Sequence, residues 1–160
     1  MNDTQPEPLL GMEVRPELIL LNIDANDSMQ AVEKLADKLL REGMVKPGYI
    51  PAILKREEEF CTGLTFDEMS IAIPHTDAEH VNIPCIGIAT MLHPVAFGSM
   101  GMPEVTCEVE MLFMLAITDP KSQLDFLKTI MKVFQTPGRL RDLKACSTAE
   151  ALAELFKSYF

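Results

Sequence analysis

The chain has 160 residues, 48% of them hydrophobic and 24% charged, which suits one globular domain that buries a core without staples. Its formal net charge of −10 argues against nucleic acid and anionic membrane surfaces as partners, because both draw on clustered Lys and Arg, and favours a protein partner with a basic patch. Cys61, Cys85, Cys107 and Cys146 form no C-x-x-C pair, so they read as free thiols of a reducing cytoplasm and not as a zinc or redox motif.

Residues 1–16 carry acidic residues and prolines with no basic-then-apolar leader, and they read as a poorly ordered arm before a folded domain at 17–160. No apolar stretch approaches the ~20 residues of a membrane span, which makes the cytoplasm the expected location. The apolar run Leu18 to Ile23 predicts a buried strand. Asp27 or Ser28 opens a helix with Ala31, Val32, Leu35, Ala36, Leu39 and Leu40 on one face, and Gly43 ends it. Pro47 begins a second helix, with Ile50, Ile53 and Leu54 apolar and Lys55 to Glu59 as its charged end.

Thr62-Gly63-Leu64 reads as a loop, and Ser70 to Ile73 as a buried strand end. Ile83 to Leu92 is strand-like, and Phe97 to Pro103 is a loop or hairpin. Val105 to Ile117 predicts a long central strand. Asp119 caps a helix with Pro120 in its first turn, followed by Leu124, Leu127, Ile130, Met131 and Phe134 at helical spacing. Pro137-Gly138 breaks the chain before a short helix or turn at Arg139 to Lys144. Ser147 or Thr148 caps a last helix. Helices and strands interleave, which predicts a single α/β domain with a mixed sheet.

The most informative segment is Ile71-Ala72-Ile73-Pro74-His75-Thr76. Pro74 cannot donate to a sheet ladder and fixes its own φ, so the strand stops and delivers His75 at a sheet edge. An imidazole held there can act at neutral pH as a nucleophile or acid–base group. His93 precedes Pro94 in a turn-like stretch and reads as structural. His80 falls in a polar loop or short helix.

His75, Asp77, Glu79 and His80 include metal-ligating types, but their spacing matches no H-E-x-x-H pattern. There is no G-x-S-x-G elbow for a serine hydrolase and no Gly-rich phosphate loop. Arg56 stands among Glu57, Glu58 and Glu59. Such a run usually makes a solvated helix face, whereas an arginine can also turn its donor fork to a phosphoryl group.

The ordered series Arg56-Glu57, Thr62-Gly63, Ala72-Ile73-Pro74-His75, then Gln123-Leu124-x-Phe-Leu127 and the closing leucines from Leu143 to Leu155, resembles the enzyme IIA component of the sugar phosphotransferase system, mannitol/fructose superfamily. The likeness runs from about Leu18 to Phe156. It implies a three-layer fold, a mixed sheet with helices on both faces. It also implies that His75 takes a phosphoryl group from phospho-HPr and passes it to a cysteine of a IIB component, while the membrane IIC component imports the sugar. Mannitol- and fructose-type members usually carry a second histidine where this chain has Gln123. Galactitol-type members resemble it there and in the Ile53 to Gly63 segment, so galactitol or a related polyol is the expected sugar.

On that resemblance Arg56, Gln123, Thr62 and Thr76 are the expected phosphoryl-stabilising groups around the catalytic His75. No metal or cofactor is expected, because the phosphoryl group arrives already activated. The alternative is a regulatory relative, in which phosphorylation of His75 switches binding to a transporter or kinase.

Overall fold

The computed structural model describes residues 11–160. Along them run β1 (Ile19–Ile23), α1 (Ser28–Arg41), α2 (Tyr49–Glu59), β2 (Gly63–Thr65), β3 (Ser70–Ala72), β4 (Cys85–Ser99), β5 (Met102–Ala116), α3 (Pro120–Val133), α4 (Arg139–Lys144) and α5 (Ala149–Ser158). The helix starts are set by caps legible in the sequence. The Asp27 side chain accepts from Gln30 N, Asp119 from Ser122 N, and Thr148 from Ala151 N, which satisfies donors the first helical turn leaves free.

β4 and β5 pair antiparallel along most of their length. β1 lies parallel to β4 on one side, and β3 lies parallel to β5 on the other. β2 pairs antiparallel with β3 and meets the far end of β4 at Gly63 and Ser99. The sheet is thus mixed, with five strands.

Successive β5 side chains point to opposite faces, as the two-residue period requires. Leu112, Met114 and Ala116 pack with α1 and α2 residues such as Leu35, Leu39, Tyr49 and Ile53. Met111, Phe113 and Leu115 pack with Phe126, Ile130, Leu140, Leu152 and Phe156 of α3 to α5. Helices therefore cover both faces, giving the expected three layers. α1 approaches β4 closely at Gly87, where a Cβ would stand 3.0 Å from Leu39 Cδ2.

Four local expectations are corrected. Residues 11–16 are not an arm: Met12 and Val14 are buried, and Glu13 pairs beside Cys85, its N–H donating to Pro84 O at 3.0 Å and its carbonyl accepting from Ile86 N at 3.0 Å. The rest of the expected arm, 1–10, lies outside the described residues. Thr62-Gly63-Leu64 is not a loop, since Gly63–Thr65 is β2. β4 continues through His93-Pro94 where a turn was expected, because the β4–β5 register shifts between Thr90 and Val95, and such a bulge tolerates proline. The helix expected from Pro47 begins at Tyr49. The hairpin expected within Phe97 to Pro103 is a tight turn at Met100-Gly101, with Gly101 at φ 80°.

One buried contact ties the two sides of the future site together. Tyr49, fully buried at the start of α2, donates its hydroxyl to Leu115 O at 2.9 Å, and Leu115 N donates to Pro74 O at 2.9 Å. Tyr49→Phe leaves that carbonyl without its phenol donor. We expect an unfolding free energy lower by about 1–2 kcal/mol in urea titrations; an unchanged midpoint would mean that the hydroxyl contributes nothing.

Candidate functional site

β3 ends at Ala72, yet the chain stays aligned with β5 for three more residues, and His75 makes an isolated parallel bridge to Leu115. Pro74 between them is buried. The imidazole is half-buried, and its Nδ1 lies 2.9 Å from the Ile73 carbonyl oxygen. A carbonyl only accepts, so Nδ1 carries the proton. In the neutral ring Nε2 then keeps its lone pair. Burial pushes the His75 pKa below its ordinary value and the nearby Arg56 charge adds to this, against the Ile73 hydrogen bond, which favours the charged ring. The neutral form of the ring is therefore favoured at physiological pH.

Two hollows meet at the residues following His75. One, of about 220 Å³, is lined by Ala52, Lys55, Arg56 and Glu59 of α2 with Thr76 and Asp77. The other, of about 90 Å³, lies between Thr76-Asp77-Ala78 and the start of α3, with Ile117, Asp119, Pro120 and Gln123. Two larger hollows, about 410 and 470 Å³, lie against β1 and α1 and between residues 65–68 and the end of α3, and neither is lined by a residue of the segment that follows His75. Volume does not select the site here; adjacency to that segment does.

Arg56 is half-buried, with Cζ 4.8 Å from the Phe60 ring centroid. Its Nε is buried with no hydrogen-bond partner, and among the described residues no carboxylate lies within salt-bridge distance of it. A guanidinium left in that state has donors to spare for an anion. Thr76 is buried and lines both hollows. Gln123 Nε2 lies 3.5 Å from Thr76 O, a long contact.

Thr62 departs from its expected role. Its hydroxyl donates to Glu57 Oε1 at 2.7 Å and accepts from Ile73 N at 3.2 Å. The single hydroxyl proton is thereby committed inward, so Thr62 offers no donor to a phosphoryl group. His80 sits in a short 3-10 turn, its ring against Gly48, and His93 lies exposed on β4 with Nε2 3.0 Å from Asp24 Oδ1. Among the described residues no three His, Cys, Asp or Glu side chains gather at metal-ligand spacing.

The residue missed from sequence is Glu57. Its charged neighbours suggest a solvated run, but it is 3% exposed. The signal was present: Tyr49, Ile53 and Glu57 recur every four residues and are the buried face of α2.

A three-layer α/β domain that holds a neutral imidazole beside an uncommitted guanidinium has the makings of a phosphoryl carrier. Residues 13–159 match the family model described as "Phosphoenolpyruvate-dependent sugar phosphotransferase system, EIIA 2", and the chain belongs to that family. It is 26% identical over 133 residues to the galactitol-specific EIIA component of Escherichia coli, covering 83% of this chain and 87% of that one. It is 29% identical over 140 residues to the mannitol-specific enzyme IIA component of Staphylococcus aureus, covering 87% and 91%. The fold is shared with the solved complex of enzyme IIA-Mtl and phosphorylated enzyme IIB-Mtl from Escherichia coli, at TM-score 0.76 and 19% identity over 92% of this chain and 99% of that one. The protein is thus a phosphotransferase-system component with a phosphocarrier role. Among the described residues no helix is long and apolar enough to cross a membrane.

Burial raises the Glu57 pKa from 4.5 to about 7, against the Thr62 hydrogen bonds that lower it. The native state then holds this proton while the unfolded chain has lost it. Stability therefore falls as pH rises from about 4.5 to about 7, by an amount on the order of 3 kcal/mol from this group. In urea unfolding at pH 5 and pH 8, Glu57→Gln is expected to lose that part of the slope. Parallel slopes in the two proteins would assign the pH dependence elsewhere.

Proposed function

We propose that His75 is the phosphoryl-carrying residue, accepting from phospho-HPr and donating to a cysteine of a IIB component in the cytoplasm during uptake of galactitol or a related polyol. The observation that carries this reading is the contact between His75 Nδ1 and Ile73 O, which leaves Nε2 as the free nucleophilic atom. The IIB acceptor is supported by the solved partner of a protein of the same fold, and the sugar by the galactitol-specific relative.

In the forward step the Nε2 lone pair attacks phosphorus as the bond to the donor's ring nitrogen breaks. The product ring carries the phosphoryl group on Nε2 and the proton on Nδ1, and the Ile73 carbonyl offsets the positive charge this creates. When a IIB thiolate then attacks phosphorus, the Nε2–P bond breaks and His75 leaves as neutral imidazole, so no proton has to move in either direction. Charge gathers on the three equatorial oxygens in transit. We assign its stabilisation to Arg56, the Gln123 amide and Thr76, a reading supported by the unpartnered Arg56 Nε and by the hollows these residues line. Preorganised donors of this kind act without reorganising at the moment of reaction.

Incubation with enzyme I, HPr and phosphoenolpyruvate should yield an acid-labile, base-stable adduct on His75. His75→Ala should take no label, and a labelled variant would refute the assignment. Arg56→Gln should slow acceptance by about 10²-fold. Because the His75 pKa is lowered, acceptance should decline on acidification with a midpoint below the ordinary histidine value. Gln123→His adds a second titrating ring and should introduce a pH step that wild type lacks; superimposable profiles would show that position 123 does not face the phosphoryl group.

A further inference from the structure

Glu57 is a buried carboxylate that the phosphoryl chemistry above does not use. Keeping it inside is costly unless its oxygens are satisfied, and both are satisfied by one residue. Thr62 N donates to Oε2 at 2.8 Å and Thr62 Oγ1 to Oε1 at 2.7 Å. Among the described residues no cation pairs with Glu57, and the Cys61 thiol from the α2–β2 connection is the titratable group coupled to it.

Thr62 passes the constraint on. The Ile73 N–H reaches its hydroxyl at 3.2 Å and its carbonyl at 3.3 Å, and the Ile73 carbonyl receives the His75 Nδ1–H at 2.9 Å. Pro74 has no N–H, so two ties hold the Ile73-Pro74-His75 segment. One is the sheet contact from Leu115 N to Pro74 O. The other ends on Glu57.

We propose that Glu57 is a positioning residue, acting through Thr62 to hold the Ile73 carbonyl where it fixes the Nδ1–H tautomer of His75 and frees Nε2. Its importance for transfer rests on the phosphocarrier reading of His75, but the hydrogen-bond relay does not. A carboxylate is required because it presents two acceptors to the N–H and O–H of one threonine. An amide presents one acceptor oxygen and a donor NH2, so Glu57→Gln can receive only one of the two Thr62 protons and must lose or reverse the other contact.

The test is a histidine-ring 1H–15N correlation spectrum at pH 8, where Glu57 is ionised and His75 neutral. Wild type should show His75 as the Nδ1–H tautomer alone. Glu57→Gln and Thr62→Val should admit the Nε2–H tautomer and slow acceptance from phospho-HPr about tenfold with little change in KM. Thr62→Ser, which keeps the hydroxyl, should restore both readouts. Where Glu57→Gln does not fold, by far-UV circular dichroism, the Thr62→Val and Thr62→Ser pair decides by the same spectra. A wild-type tautomer population and rate in folded Glu57→Gln or Thr62→Val overturns the proposal. Tautomer mixing in the variants of a protein that never takes label on His75 upholds the relay and removes the phosphocarrier reading instead.

Discussion

The hydrogen bond from His75 Nδ1 to the Ile73 carbonyl is the contact on which the phosphocarrier reading of His75 depends. A free histidine exchanges its proton between two nitrogens, and neither face is reliably a nucleophile. Here the backbone two residues upstream takes the proton-bearing side, so in the neutral ring the opposite nitrogen keeps its lone pair. The geometry is possible because Pro74 ends the strand and turns the ring back over its own segment, while Leu115 N keeps that segment aligned with β5. The ring is thus held by main chain.

Electrostatics reinforce this commitment. Burial and the Arg56 charge both favour the neutral ring. Arg56 can exert that influence because among the described residues no carboxylate pairs with it, although Glu57, Glu58 and Glu59 follow it directly. The helix separates them: Glu57 turns into the core and is occupied by Thr62, and Glu58 and Glu59 are exposed to solvent. One turn of α2 therefore divides opposite charges between different tasks, and the guanidinium keeps its capacity for an anion.

Much of this was legible in the sequence, for stated local reasons. Helices opening after Asp27, Asp119 and Thr148 were readable because a capping side chain acts within three residues. The apolar period of α1 revealed its buried face, and Pro74 after an apolar run placed His75. The misreadings share a cause: pairing with a distant segment overrode local composition. Residues 11–16 look like a polar arm until Glu13 finds Pro84 and Ile86. His93-Pro94 looks like a turn until a bulge lets β4 run on beside β5.

At the site the division is sharper. Residue types and spacing alone singled out His75, because an imidazole and its strand terminator lie in one short stretch of chain; Arg56 read as part of a solvated helix face until the family resemblance brought it forward. The tautomer, the inward turn of Glu57 and the withdrawal of Thr62 from phosphoryl contact were decided only by tertiary structure. Each depends on which atom stands within about 3 Å of another. That distance is fixed when α2, β2 and the segment after β3 pack together, and no linear pattern of side chains encodes it.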